Sequence, residues 1–204
     1  MGTRNLTMVI KGEKPVIAQY GQWDGYPSGS GLDILSFLKK RSLNKFKKKL
    51  ELVRFATDED IAEVKEFMKS IGVTDGWLNM DQSSLYHQKY PFLTRDNGSG
   101  ILQMVHDNKE PIFLTDSSDF AKDSLFCEWA YVIDLDKGTF EIYDGFNQRP
   151  LDEDERFYSP DEKLNEDGTP RYYPVRLVQT YSLDELPTPK QFLKETEVED
   201  EDEV

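Results

Sequence analysis

The side chains best equipped for binding or catalysis cluster in one glycine-rich stretch, residues 19–31, which holds four of the thirteen glycines. Glycine lets the backbone approach a ligand closely, aromatic rings offer stacking faces, and amide or carboxylate groups supply hydrogen bonds. The pattern predicts a pocket wall formed by Gln22, Trp23, Asp24 and Tyr26, in which Asp24 has the capacity to act as a general base. The alternative is a tight turn whose aromatic rings pack in the core.

A second polar turn brings an arginine next to an aspartate, at Arg95 and Asp96. An arginine with an orienting carboxylate can clamp an anionic group. Equally, the two residues can form an ion pair at a helix start, followed by an Asp-Asn-Gly turn. We expect Arg95 and Asp96 to share a pocket with residues 22–26.

Two residues elsewhere in the chain, Thr3 and Cys127, are candidate nucleophiles. Cys127 precedes an apolar run, where the alternative is a small core residue, and neither His87 nor His106 is tied to it by a motif. Thr3 can act as a terminal nucleophile only after removal of the two residues before it.

Metal and cofactor motifs are missing from the sequence. One cysteine and two histidines are a poor ligand supply for zinc, and a carboxylate-only magnesium or calcium site stays open without a motif to support it. Residues 25–31 lack the Gly-Lys-Ser/Thr ending of a phosphate loop and the dinucleotide fingerprint. We therefore expect no metal and no cofactor.

The net charge of −14 disfavours nucleic acid as the main partner. Half of the excess is local, because residues 195–204 hold seven acids and no base. That composition predicts a disordered acidic tail, with a partner-docking arm as the alternative. The lone cysteine agrees with a reducing cytosol, and no apolar run approaches the roughly 20 residues of a membrane span, so we expect a cytoplasmic protein.

The length of 204 residues and the 37% hydrophobic content predict one domain, covering residues 1–194. Eight acids and three prolines in residues 150–170 predict an exposed excursion within it. Apolar runs joined by short glycine-containing turns predict two β-hairpins, residues 3–10 with 16–20 and residues 129–135 with 139–143.

The remaining periodicity is mostly helical. Ser30 is a potential cap for a helix over residues 32–38, and Thr57 is a cap for a helix that Gly72 closes. Further helices are predicted at 44–54, 83–90 and 101–105, a helical turn at 182–185 and a short helix after 189, with strands at 112–114 and 172–181. The fold class is therefore α+β, a mostly antiparallel sheet with helices packed on it.

Four stretches occur in this order along the chain: MGTRNL at 1–6, QYGQWDGYPSG at 19–29, TRDNG at 94–98 and DSLFCEWAYVID at 123–134. Through them the chain resembles, over roughly residues 1–147, a family of small proteins encoded by bacteriophage and fungal genomes. The resemblance implies a phage-associated protein and no particular activity.

The order of strand, hairpin partner, glycine-rich bend and helix is also similar to the start of N-terminal-nucleophile hydrolases. In that class the first mature residue attacks the substrate, and here Gly2 carries no nucleophile. We expect an intracellular phage-associated accessory protein that binds a host protein or a small ligand. The alternative is an amide or ester hydrolase that attacks with Thr3 or Cys127, supported by Asp24.

Overall fold

The first two strands, β1 (Asn5–Lys11) and β2 (Lys14–Gly21), form the antiparallel hairpin that the sequence predicts. Gly12 supplies the positive φ of 65° that this tight connection needs. A computed structural model describes residues 2–74, 76–158 and 172–196.

These ranges form a single α+β domain built on a five-stranded mixed sheet in the order β2-β1-β5-β6-β7. The other strands of that sheet are β5 (Trp129–Asp134), β6 (Thr139–Asp144) and β7 (Arg176–Ser182). The β5–β6 hairpin confirms the second predicted strand pair, and β7 lies within one to four residues of the predicted last strand. Strands β1 and β5 pair in parallel, whereas the other neighbours are antiparallel.

Six α-helices lie in the described ranges, and four of them cover one face of the sheet. They are α1 (Leu32–Lys40), α2 (Leu43–Lys49), α3 (Asp58–Ser70), α4 (Met80–Lys89), α5 (Ile101–Asp107) and α6 (Pro189–Thr196). The covered face joins Val9, Ile17 and Tyr131 of the sheet to apolar side chains of α1, α2, α5 and α6. Burial of these apolar surfaces is the main stabilising contribution to the domain.

Two helix predictions were wrong in detail. Ser30 does not cap α1, because residues 27–31 form a π-type turn that runs directly into the helix and leaves Ser30 buried. The predicted helix at 44–54 ends at Lys49, and Val53–Phe55 is instead the strand β3, paired in parallel with β4 (Ile112–Leu114). Pairing with a distant strand overrides the local helical pattern there.

Helices α3 and α4 contact each other through Lys89, whose ammonium group lies 3.6 Å from Glu63 and 4.5 Å from the centre of the Phe67 ring. Neither helix contains a fully buried residue. Thr57 caps α3 as predicted, in a reciprocal arrangement with Asp60. Tyr90, just after α4, donates a hydrogen bond of 3.0 Å to Glu63 and packs its ring 5.5 Å from Phe67.

The opposite face of the sheet is covered by connecting segments, which bury a charged network. Arg156 bonds to Asp134 at 2.6 Å and to Glu141 at 2.8 Å, while Tyr143 donates to Glu141 at 2.6 Å. Part of the predicted acidic excursion therefore packs on the sheet. Residues 159–170 of that excursion and residues 197–204 of the predicted tail lie outside the described residues. The first two residues of the predicted disordered tail, Glu195 and Thr196, are instead the end of α6.

Residues 182–185 form a single turn at the place where a helical turn is predicted. The Glu185 amide donates to the Ser182 carbonyl at 3.1 Å, and the Asp184 amide donates to the Ser182 hydroxyl at 3.2 Å. The turn leads towards α6, which confirms the short helix expected after residue 189.

Candidate functional site

The segment of residues 22–26, which we call the aromatic loop, leaves β2 and crosses the start of β1. Three hydrogen bonds join its backbone to the rest of the domain. The Gly25 amide donates to the Thr3 carbonyl at 3.0 Å, and Asn5 Nδ2 donates to the Trp23 carbonyl at 3.2 Å. The Gly25 carbonyl accepts a 2.7 Å bond from the buried hydroxyl of Tyr131. The main chain of the loop is therefore fixed in place.

Close contacts explain Gly25 in the loop and Gly29 just after it. A Cβ atom at Gly25 would lie 2.7 Å from the Thr3 carbonyl oxygen, and one at Gly29 would lie 2.4 Å from that of Asp24. Asp24 itself has a φ of 52°, a left-handed conformation that costs a non-glycine residue about 1–2 kcal/mol. Its carbonyl is held by the Ser30 amide at 2.8 Å. The surrounding hydrogen bonds and packing maintain this conformation.

The aromatic side chains of the loop point away from the core. Trp23 is 53% exposed, Tyr26 is 55% exposed, and Asp24 between them is exposed as well. The alternative that these rings fill the core is therefore wrong. Exposed tryptophan and tyrosine on a fixed backbone are the side chains that most often dominate binding interfaces.

The turn that carries Arg95 and Asp96 lies beside the aromatic loop. Trp23 Nε1 donates to the Asp96 carboxylate at 3.2 Å, and the backbone amide of Gln22 donates to the backbone carbonyl of Arg95 at 3.4 Å. Both Arg95 and Asp96 are exposed. Two segments separated by about seventy residues thus form one surface, in which Asp96 orients the indole ring rather than the arginine.

The Gln22 side chain is less available than the sequence suggests. Its Oε1 accepts a 2.6 Å hydrogen bond from the Tyr20 hydroxyl, so this oxygen is already engaged within the protein. Burial raises the pKa of Tyr20, although the neighbouring Arg4 and Arg95 charges oppose the shift. Tyr20 is therefore a neutral donor at physiological pH.

The candidate nucleophiles are both buried. The Cys127 thiol is fully inaccessible and donates to the Trp129 carbonyl at 3.4 Å, and burial raises its pKa well above the ordinary value, with Asp123 adding to the shift. A protonated, inaccessible thiol is unreactive and packs as a core residue. Thr3 is 7% exposed, and its carbonyl accepts the hydrogen bond from the Gly25 amide of the aromatic loop.

Sequence patterns did not single out Phe126, an aromatic residue near the start of β1. Phe126 is 46% exposed, and the Arg4 guanidinium lies 4.8 Å from the centre of its ring. The parallel pairing of β1 with β5 brings the two segments together, and Arg4 also bonds to Glu128. No local pattern encodes a parallel pairing across more than a hundred residues, so this neighbourhood could not be predicted.

Within the described ranges, His, Cys, Asp and Glu side chains form no group of three that could hold a metal ion. None of the helices described there is long and apolar enough to span a membrane. Comparison of the chain with protein-family models, curated proteins and solved structures finds no match.

Proposed function

We propose that this chain is a phage-associated accessory protein that acts by binding another protein, a host protein, through the aromatic loop and the adjacent turn of Arg95 and Asp96. The observation that carries the proposal is that more than half of the surface of Trp23 and of Tyr26 is exposed, while hydrogen bonds from Asn5 and Tyr131 hold the loop backbone in place. The exposed half of each ring adds no apolar burial to the folded chain, whereas an interface would bury that area.

The rigidity of the loop supports a protein partner further. Association is weakened by the entropy lost when loops and side chains become ordered, and a loop that is already fixed avoids most of that loss. Tryptophan, tyrosine and arginine are also the residue types most enriched at the energetic centres of interfaces. Trp23, Tyr26 and Arg95 supply all three types on one surface.

A binding comparison between variants tests the proposal. The immobilised chain and its Trp23→Ala and Tyr26→Ala variants are exposed to host lysate, and retained proteins are identified by mass spectrometry. Trp77→Ala is the matched control, because Trp77 is 80% exposed in the connection between α3 and α4. We expect one protein to be retained by wild type and by the control and lost from both loop variants. Equal retention by all four chains would contradict the proposal.

An amide or ester hydrolase of the N-terminal-nucleophile type is the second candidate. The observation that favours it is the position of Thr3, which precedes β1 and bonds directly to the glycine-rich bend that also holds Asp24. A terminal threonine would use its own amine as the base. Intact mass of the purified protein tests this candidate: a chain that begins at Thr3 supports it, and a chain that retains Gly2 removes it.

A further inference from the structure

A polar groove of about 280 Å³ lies between α1 and the residues that lead into α5, and we call it the α1–α5 groove. One side is a single face of α1, since the side chains there are spaced by three or four residues. The α1 side comprises Asp33, Ser36, Phe37 and Lys40, followed by Arg41, and the facing side comprises Ser99, Gly100 and Gln103.

Arg41 is held in one orientation by its neighbours. Its Nε donates to Gln103 Oε1 at 2.8 Å, and Gln103 Nε2 in turn donates to the Asp107 carboxylate. The two Nη groups of Arg41 have no hydrogen-bond or ion-pair partner in the part of the chain that the structure describes. A guanidinium fixed through Nε and free at both Nη groups presents a fork that matches the two oxygens of a carboxylate or phosphate.

The same chain of hydrogen bonds continues inwards to a buried histidine. The second oxygen of Asp107 lies 2.8 Å from His106 Nδ1, and this bond is the largest cause of the lowered pKa of Asp107. His106 is 5% exposed, and its Nε2 has no partner among the described residues. Its ring contacts Phe37, which lines the groove, edge-on at 6.0 Å. An exposed arginine is thus positioned by a network anchored in the core.

Lys40 adds a second cation to the same end of the groove, and no described residue pairs with its ammonium group. The opposite end holds Asp33, seven residues earlier on the helix and therefore about 10 Å away along its axis. In a chain with a net charge of −14, two adjacent cations in one groove favour an anionic ligand, and the Asp107 carboxylate, whose pKa the Arg41 charge helps to lower, offsets only one of the two charges. Asp33 limits the negative charge to one end and disfavours a polyanion.

We propose that the α1–α5 groove binds a small molecule through an oxyanion, a carboxylate or a phosphate, with Arg41 as the bidentate contact and Lys40 as the second charge. Gln103 is a positioning residue that acts through Arg41. The volume is at the small end of ligand sites, which fits a metabolite-sized ligand rather than a macromolecule. This site is separate from the aromatic loop and does not depend on its role.

Titration of the full chain with inorganic phosphate and with acetate, followed by the amide NMR signals of Arg41, Ser99 and Gly100, tests the proposal. Sodium chloride at equal ionic strength is the control for screening. We expect at least one of the two anions to give saturable shifts with a dissociation constant near or below about 1 mM. Saturation by phosphate alone assigns a phosphorylated ligand, and saturation by acetate alone assigns a carboxylic acid.

Variants separate a specific site from general charge attraction. Arg41→Gln is expected to weaken binding at least tenfold, and Gln103→Leu, which frees the guanidinium, about threefold or more. Lys65→Gln removes an exposed lysine of α3 and is expected to leave the affinity unchanged. Shifts that do not saturate, or that are the same in Arg41→Gln as in wild type, would overturn the proposal.

Discussion

The hydroxyl of Tyr131 donates a 2.7 Å hydrogen bond to the carbonyl of Gly25 and so joins the central strand of the sheet to the aromatic loop. Tyr131 is fully buried, and burial raises its pKa well above the ordinary value, which keeps the hydroxyl protonated. The loop is therefore an extension of the core rather than a mobile connection. Its exposed rings have a fixed position relative to the sheet.

Replacing Tyr131→Phe removes this bond and leaves the Gly25 carbonyl buried without its partner. We expect the free energy of unfolding to fall by about 1–3 kcal/mol, the usual effect of an unpaired buried polar group. Urea denaturation followed by fluorescence measures the change. Tyr26→Phe, at an exposed ring of the same loop, is the control and is expected to leave stability unchanged. Equal stability of Tyr131→Phe and wild type would show that the bond does not hold the loop.

Gly25→Ala tests the close approach of the loop to β1. The added methyl group would lie 2.7 Å from the Thr3 carbonyl oxygen and 2.9 Å from Asn5 Cβ, so the backbone must shift. We expect a loss of about 1–3 kcal/mol from this overpacking. Gly100→Ala is the matched control, because its φ is −58° and no atom lies within 4 Å of the added group. The control is expected to be neutral or slightly stabilising, and a similar loss in both variants would contradict the packing argument.

Amide hydrogen exchange reports the rigidity of the loop directly. The Gly25 and Ser30 amides donate to the carbonyls of Thr3 and Asp24, so we expect them to exchange at least about tenfold more slowly than an unprotected amide. The exposed glycine Gly76, in the connection between α3 and α4, is the internal reference. NMR exchange measurements compare the three amides in one sample. Exchange of Gly25 as fast as that of Gly76 would show that the loop opens freely.

Local patterns were sufficient to predict both hairpins, the capped helix α3 and the α+β class. We also expected residues 22–26 and Arg95 to share a pocket, although no local pattern requires the two turns to lie together. Local patterns could not reveal the hydrogen bond from Tyr131 that holds the loop, since in the sequence Tyr131 looks like any other residue of an apolar strand. Its hydroxyl reaches Gly25 only because β1 and β5 pair in parallel. Non-local pairing leaves no signature in a single strand.

The charged network on the other face was hidden for a similar reason. Arg156 stands in an acidic stretch that resembles a solvated loop, and nothing local shows that its partners Asp134 and Glu141 lie on neighbouring strands. Composition predicts that the segment around Arg156 is exposed. In the structure, Arg156 bonds to the buried carboxylates of Asp134 and Glu141 and holds that segment against the sheet. In the described part of this stretch, residues 152–154 are exposed as composition indicates, whereas the two ion pairs of Arg156 hold that residue against the sheet.

Arg156→Met is expected to destabilise the domain by about 3 kcal/mol at pH 7, because Asp134 and Glu141 would remain buried without their cation. Urea denaturation at pH 7 measures this loss. Arg95→Met, at an exposed arginine, is the control and is expected to change stability little.

The pH dependence of this loss has a definite sign. Burial raises the pKa of Glu141, but hydrogen bonds from Arg156 and Tyr143 outweigh burial, so this pKa lies below its ordinary value. Burial also raises the pKa of Asp134, but hydrogen bonds from the Lys137 amide and Arg156 outweigh it, so this pKa is lowered as well. For acids with a depressed folded pKa, the stabilisation is complete above the unfolded pKa, about 4, and is lost as pH falls through the folded value. The difference between wild type and Arg156→Met should therefore begin to shrink near pH 4 and continue to shrink at lower pH. A difference that stays the same from pH 7 through this acidic range would contradict the charge argument.

The most direct test of the proposed binding surface is photo-cross-linking from the aromatic loop. Benzoylphenylalanine incorporated at position 26 or at position 77 places the same reactive group at two exposed aromatic positions, and both chains are irradiated in host lysate. We predict that position 26 gives a discrete cross-linked host protein and that position 77 does not. Cross-links of equal yield to the same proteins from both positions, or from position 77 alone, would contradict the assignment of binding to the aromatic loop.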